Sequence, residues 1–539
     1  MVFGSGREPG GLVETLPDAV DVIVAGSGAA ALTAALAAAS RGLSVLVAEK
    51  TMMLGGTSAM SGGGVWVPAN HHAAAAGLPD SPAEALAYLR AAAPEGWAVA
   101  EDHLWEALCT NAPRMLRLVE ERSPLRFRLV EEGDPLPDLV GAKARGRMVS
   151  PRPLSGARRS ALGRRIRATT HPHLFTYEET IRSELHRHPI RAALTLAPVL
   201  AWRWLAGRRA QGTALIAGLL AGCRAAGCTI AVDATVATLT RDSTNRIDGA
   251  EIEHRGRRQR VAASCGVVLA TGGFEWDAPR LRHHFCEPIG FIASPVGNSG
   301  DGHRMAEEVG AVLAHMDQAN ISPVIPSHYE GRPHGMALFY HRAANAILVD
   351  GSGRRFVDET TFNLGEILDR RDASGVPLHR PVWIITDSRF LRRAPLVRWY
   401  ARPRSDWLVK AGDVAELAAR IGIPAATLSE SVARFNEDAA SGRDRDHGRS
   451  RDRAPGLEPI DRPPYVAISF NRSFLGTKGG PRTDASGAVL GSDGTVIAGL
   501  YCCGGTMANP IGTRAVGAGT TLGPYMTFGY ICGMSIGSR

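Results

Sequence analysis

The sequence predicts an α/β fold organised on a parallel sheet, and three observations carry that class. Residues 21–25 and 43–48 are short, almost wholly apolar runs of the kind buried on both faces of a sheet. Between them an alanine-rich stretch, residues 29–40, reads as a helix entered through Gly26-Ser27-Gly28. A third apolar run, residues 265–270, again ends in a Gly turn, and strands and glycines return between residues 465 and 533. The layer that opens the chain is therefore completed near its end, with a second domain inserted between.

Taken in order, residues 1–17 read as a poorly ordered lead-in. The strand, turn, helix and strand of residues 20–49 close on Glu49, the spacing of a dinucleotide-binding βαβ unit. Gly26 permits the sharp turn, and Gly28 lets the backbone approach a pyrophosphate. The amides of Ala29 and Ala30 at the helix N-terminus then face that anion. Ala31 is small enough for helix and strand to pack closely, and Glu49 is placed to accept hydrogen bonds from a ribose. The run from Lys50 to Trp66 is too rich in Gly, Ser and Thr for a packed element. Its backbone N–H groups and small hydroxyls, at Gly56, Thr57, Ser58, Ser61, Gly62 and Gly63, suit a phosphate and a flat polar ring; the alternative is a Gly-rich linker.

Helices are expected at 81–90, 101–122 and 213–227, and a Pro-, Gly- and Arg-rich loop region over 124–170. Strands are expected over 229–240, 249–254 and 260–263. Farther on come a helix at 303–309, a strand–turn–strand hairpin at 346–359, a strand at 382–387 and helices at 414–421 and 425–440. Residues 442–453, dense in Arg and Asp, read as the most mobile segment. The division is 18–290 with 467–539 for the nucleotide-binding domain and 291–466 for the inserted domain, with the ligand between them.

At 539 residues the chain is long enough for two or more full cores, and its composition, 45% hydrophobic, is that of a folded protein. Its net charge of +8 is concentrated locally: residues 143–167 hold nine Lys or Arg and no acid. That run reads as a solvated insertion or as a patch for anionic lipid or an acidic partner. Without interleaved aromatics or a nucleic-acid fold signature, it does not point to nucleic acid. Eight cysteines without metal-ligand spacing point to free thiols in a reducing cytoplasm and to no metal, and the N-terminus shows no signal-peptide pattern. Residues 190–223 are apolar but interrupted by Pro198, Arg203, Arg208 and Arg209. This excludes a membrane span and leaves an amphipathic helix resting on a membrane or on a partner, so that the Arg-rich 143–209 region is the candidate for peripheral membrane contact.

With these motifs assembled, the chain resembles the fumarate reductase/succinate dehydrogenase flavoprotein superfamily, and within it the 3-ketosteroid dehydrogenases. The resemblance rests on Gly26-Ser27-Gly28, Glu49-Lys50, residues 55–66 and Ala270-Thr271-Gly272-Gly273-Phe274. It continues through residues 353–359, 476–480 and 499–505 to Gly519-Thr520-Thr521-Leu522-Gly523-Pro524, in the family's order from end to end. It implies an α/β, Rossmann-like FAD-binding domain of GR2 type, split by an inserted α+β cap domain for the substrate. FAD is held non-covalently, since Gly55-Gly56-Thr57-Ser58 contains no attachment histidine. The resemblance also assigns cofactor contacts to Lys50, Val236 on the adenine side, Ala270, Thr271, Gly272, Gly505, Gly519, Thr521 and Leu522. The helix opened by the last of these would present its positive end to the flavin.

The activity implied is desaturation of a CH–CH bond beside a ring ketone. The carbonyl is polarised, a base takes the neighbouring proton, and a hydride leaves for the flavin. The family's scaffold is present, but its expected acid–base set is not. Its Tyr-Pro-Gly triplet is replaced by Ala515-Val516-Gly517, so Gly517 keeps the backbone N–H while the phenol is lost. A second tyrosine window reads Thr360-Thr361-Phe362-Asn363, which also lacks the acid arginine of fumarate reductases, and residues 131–137 hold no tyrosine. Tyr465, Arg514, Tyr340 with His341 and Arg342, Asn363 and Tyr525 are the candidate replacements, with a packed or ion-paired structural role as the alternative reading. Two other functions stay open: a flavin-dependent C=C reductase with Arg514 as acid, and a flavin-binding protein without turnover. A hydrophobic small-molecule substrate and an external electron acceptor are expected of the enzyme.

Overall fold

A computed structural model describes residues 10–538 apart from 156–159, 171–172, 183–188, 286–289, 323, 338–339, 402–406, 450–455 and 471–472. Its central sheet runs Val496–Cys502, Arg257–Leu269, Ala19–Ala25, Val45–Glu49, Thr229–Val232, with every neighbouring pair parallel. Ile23 lies at its centre, opposite Leu46 on one side and Val267 on the other. The β-branched runs were expected here because parallel strands are covered on both faces. The antiparallel strand Ala488–Leu490 closes one edge. The chain from 229 to 241 is two strands, broken at Asp233, whose backbone turns left-handed (φ 54°). The first extends the parallel sheet and the second pairs antiparallel with Ile247–His254.

Eleven of the twelve residues of the helix Ala29–Ser40 are buried, which explains why alanine fills it without an apolar stripe. One side lies on the sheet and another on the helix Leu522–Ser535. The contact is close enough that a Cβ at Gly529 or Gly533 would stand 2.3 or 2.4 Å from the carbonyl oxygens of Ala30 and Ala34.

The inserted domain is an antiparallel sheet ordered Ile347–Val349, Val382–Asp387, Tyr465–Phe470, Leu408–Ala411. One face packs on the helices Val414–Ile421 and Ala425–Ser441 through Ile385, Ala467, Leu417 and Phe435. The other packs on Tyr340, Leu364 and Phe390 through Ile384, Val466 and Ile468. Alternation along each strand decides which layer a side chain joins.

Four expectations are corrected here. Residues 10–17 are not a loose lead-in: Leu12 bridges Ile230 in parallel and Gly10 N–H donates to Arg224 O, while residues 1–9 lie outside the described residues. The hairpin at 346–359 has one strand only, its return limb being the single bridge Val349–Arg355. The reason is electrostatic. Arg355 is bound by both Glu359 and Asp444 (2.8 and 2.9 Å), and Glu359 also pairs with Arg449 (3.1 Å), all within the interior. The same network pins residues 444–449 of the supposed mobile segment; residues 450–453 of that segment lie outside the described residues. Finally, the strand Tyr465–Phe470 belongs whole to the inserted sheet, so a boundary between 466 and 467 cuts through an element.

Candidate active site

A long groove opens along the C-terminal edge of the parallel sheet. Gly26, Gly28, Ala29, Ala30, Glu49, Lys50, Gly56, Thr57, Ser58, Val236, Ala270, Thr271, Gly272, Gly505 and Thr521 line it. Gly26 is left-handed (φ 107°), and a Cβ there would stand 2.3 Å from Ala270 O, so only glycine serves at this turn. The helix that follows has no side-chain cap at Gly28, and the Ala29 N–H points to Ser58 Oγ at 3.1 Å. Glu49 is held at both oxygens, by the Ser27 hydroxyl (2.7 Å) and by the Thr51 N–H and hydroxyl (both 2.9 Å). A Cβ at Gly56 would meet no atom within 4 Å, and one at Gly28 only Ser58 Oγ at 3.7 Å. Methyl groups at these two places would fill the groove itself, so the two glycines keep clear a cradle of amides and hydroxyls that fits a pyrophosphate.

Five other expected contacts fall outside this lining. Ser61 donates to Ser58 O (2.7 Å) and accepts from Gly63 N (3.2 Å); Gly63 packs on the Gln211 backbone, Leu522 is buried, Gly62 lies against the Tyr177 ring, and Gly519 lines the next cavity. The groove also includes residues that sequence reasoning did not reach. Arg167 donates to Thr51 Oγ1 (3.1 Å), and Asn298 spans Thr57 Oγ1 (3.0 Å) and Glu275 Oε1 (2.8 Å). Lys50 is tied to Asp301 and Ser299 (both 2.6 Å).

Asn320, Leu475 and Thr521 are shared between the groove and a second cavity of about 730 Å³. Its walls are largely apolar, with Ile321, Phe362, Leu364 and Phe390 among them. Three polar side chains converge on one side. The Tyr177 phenol donates to Glu132 Oε2 at 3.0 Å, and Arg342 lies within electrostatic reach of both. Tyr177 stacks against the glycine run, its ring 3.0 Å from where a Gly62 Cβ would be. Burial, then the adjacent Glu132 charge, raises the Tyr177 pKa. Burial also raises that of Glu132, against the Tyr177 hydrogen bond and Arg342. Burial lowers that of Arg342, opposed by Glu132 and Tyr177.

The expected catalytic candidates are scattered. Tyr340 lines the cavity, but its hydroxyl is spent on Val324 O (3.1 Å) and burial raises its pKa. Asn363 also lines it, with both ends of its amide on Ala515: Nδ2 donates to the carbonyl (3.0 Å) and Oδ1 accepts the N–H (2.8 Å). It therefore clamps the segment leading to Gly517, which lines the cavity with a backbone packed on Trp66. Tyr525 lines the cofactor groove, not the cavity, with its pKa raised by burial and Glu275. Arg514 and Tyr465 line neither. Arg514 turns outward to Glu366 and Ala92 O, and Tyr465 packs with the helices behind the inserted sheet. Away from both spaces, His71 and His72 direct Nε2 at Glu120 (2.7 and 3.1 Å), which also accepts the Phe127 N–H (2.8 Å).

Comparison with known proteins agrees with this geometry. The family model described as FAD binding domain matches residues 21–522. The chain is 35% identical to a 4-oxocyclohexanecarboxylate 2-dehydrogenase of Sinomonas cyclohexanicum, over 98% of this chain and 94% of that protein. It is 32% identical to a 3-oxosteroid 1-dehydrogenase of Mycobacterium tuberculosis, over 96% and 98%. Among solved structures, the 3-ketosteroid delta1-dehydrogenase of Sterolibacterium denitrificans superposes with a TM-score of 0.86 at 30% identity, over 96% of this chain and 99% of that one. A flavin cradle continuous with an apolar cavity, matched at this length, places the chain in the FAD binding domain family as an FAD-dependent dehydrogenase acting on CH–CH bonds.

Proposed function

We propose that this enzyme desaturates a hydrophobic cyclic ketone, steroid-like or smaller, with Tyr177 and Glu132 as its proton-handling pair. The observation that carries the assignment is the 3.0 Å hydrogen bond from Tyr177 to Glu132 on the cavity wall beside Gly62. The Gly517 N–H lies on the same lining and suits a ketone oxygen, whose polarisation acidifies the neighbouring C–H. Because its pKa is raised, Tyr177 is a phenol and not a phenolate. It takes the substrate proton at Oη only as its own proton passes to Glu132 Oε2, which leaves a neutral phenol and a neutral carboxylic acid. The raised pKa of Glu132 suits that product. Arg342 favours the ionised carboxylate, against the burial that raises the Glu132 pKa. The bound FAD supplies the hydride acceptor. The apolar walls orient the rings and exclude water from the abstracted proton.

Anaerobic mixing with cyclic ketones tests the reading: loss of oxidised-flavin absorbance is expected. If no ketone bleaches the flavin while the dithionite-reduced protein passes electrons to an enone, the direction of the reaction is reversed. The reductase alternative relied on Arg514, which faces Glu366 and not the cavity.

The domain division we propose is 18–290 with 471–539, and 291–470. The reoxidant is an external acceptor, and the compartment a reducing one, the cytoplasm, in keeping with seven described cysteines that are all free. We also assign peripheral membrane contact to the Arg-rich 143–209 region. No described helix is long and apolar enough to cross a membrane.

A further inference from the structure

We propose that the helix Pro189–Leu205 and the arginine pocket beside it seat this enzyme on a bilayer containing anionic phospholipid, with the mouth of the substrate cavity at that surface. The inference rests on the peripheral-contact reading and gives it residues and a lipid class.

The helix is apolar almost throughout, yet it is not packed as an apolar helix normally is. Of its residues whose burial is described, only Ala192 and Arg203 are buried. Leu194 is 71% exposed, Trp202 54%, Trp204 64% and Leu205 68%. Clustered exposed apolar side chains of this size mark an interaction surface, and tryptophans favour the headgroup level of a bilayer. At 17 residues the helix is too short to span, which leaves lying in the interface.

Charge selects a bilayer over a protein partner. Arg128, Arg152, Arg203 and Arg208 line a shallow pocket with Trp202 and Pro153. Arg208 lies over the Trp202 ring at 4.6 Å, while Arg203 and Arg128 are held by Glu179 and Glu178 (2.6 and 2.7 Å). Four guanidinium groups against two carboxylates leave an excess of two positive charges in a fork geometry suited to a phosphodiester. Across residues 143–209 there are fifteen Lys or Arg and three Glu, a net of +12 in a chain whose total is +8. The rest of the molecule is therefore net negative and would be turned away from an anionic surface.

The substrate path fits as well. Glu179, which holds Arg203, is next in sequence to Thr180 and Ile181, and both of these line the cavity. Ile181 is itself exposed. An apolar ketone dissolved in the membrane would enter without crossing bulk water.

The test uses the FAD-loaded full chain and sedimentation with vesicles of phosphatidylcholine, with and without phosphatidylglycerol. Wild type should sediment with the phosphatidylglycerol vesicles, lose that binding at high salt, and bind phosphatidylcholine at least about tenfold more weakly. Trp202→Glu with Trp204→Glu should abolish binding. Arg152→Glu with Arg208→Glu should remove the preference for phosphatidylglycerol. Both pairs should keep full FAD content and wild-type turnover of a water-soluble ketone, and lose turnover of a vesicle-dissolved one. Wild type remaining in the supernatant overturns both the membrane contact and this inference. Binding that neither pair alters overturns only the inference, as does a dimer that the tryptophan pair splits.

Discussion

Tyr177→Phe removes one oxygen atom from the proposed site and nothing else. The ring stays packed against the Gly62 run, but Glu132 loses the donor at 3.0 Å. Stranding a buried acceptor costs about 1–3 kcal/mol. The raised pKa of Glu132 lessens that cost, because the carboxyl is ready to take up a proton once the phenol is gone. A positioned proton-transfer group contributes about 10²- to 10⁴-fold to rate, or about 3–5 kcal/mol. The reductive half-reaction should therefore slow by at least about 100-fold at saturating ketone, with KM within about threefold and FAD retained. Stopped-flow flavin bleaching under anaerobic conditions measures it. The pH profile adds a second readout. Glu132 works as the ionised acceptor, so the rate should fall on the acid side, at a pH above the ordinary carboxylate range. Glu132→Gln should be slow at every pH, without that limb. A Tyr177→Phe enzyme that is fully flavinated and reduced within threefold of wild type would refute the relay.

Other expectations follow from packing and charge. Gly529→Ala drives a methyl into Ala30 O, 2.3 Å away in the backbone of the helix Ala29–Ser40; it should destabilise the fold by about 1–3 kcal/mol, read as a lower melting temperature, and weaken FAD retention, read as flavin released on gel filtration. Arg514→Ala breaks a half-exposed pair with Glu366 and should leave the flavin-reduction rate within about threefold and stability within about 1 kcal/mol. His303 is buried with its Nε2 on Gly479 O (2.9 Å), and burial lowers its pKa to about 4 from the usual 6.5. The unfolded chain takes up that proton first, so stability present above pH 6.5 is lost as pH falls towards 4, by about 3 kcal/mol. Urea titrations over that range should show a shallower acid slope in His303→Gln.

Much of the cofactor groove was legible because one βαβ unit and the turn after it supply Gly26, Gly28, Glu49, Thr57 and Ser58 within a short length of chain. Local chemistry and local structure coincide there. The cavity has no such stretch. Glu132, Tyr177, Arg342, Asn363 and Gly517 are brought together only by tertiary packing. Residues 131–137 hold no tyrosine; the structure places Glu132 of that stretch against a phenol delivered from residue 177, on a six-residue helix without a strong periodic signal. Strand parity turns Tyr465 away from the cavity. Val466 and Ile468 face the layer that holds Tyr340, so Tyr465 and Ala467 face the helices behind. Thr513 and Ala515 line the cavity, but the Arg514 side chain between them turns to Glu366. Only the return limb of the 346–359 hairpin, where ion pairs of Arg355 take the place of a ladder, lacks a strand alternation to read.

The contact between the helices Ala29–Ser40 and Leu522–Ser535 bears on how the protein is made. Ala29 and Ala30, which line the groove, are synthesised early, yet the glycines that pack against their helix, and the turn that closes both groove and cavity, emerge nearly five hundred positions later. A nascent chain on the ribosome can build the first βαβ unit but cannot complete the flavin cradle. Flavin capture is thus a late event that reports on a finished chain, and translation products lacking the helix Leu522–Ser535 should carry no yellow colour however well their earlier elements fold.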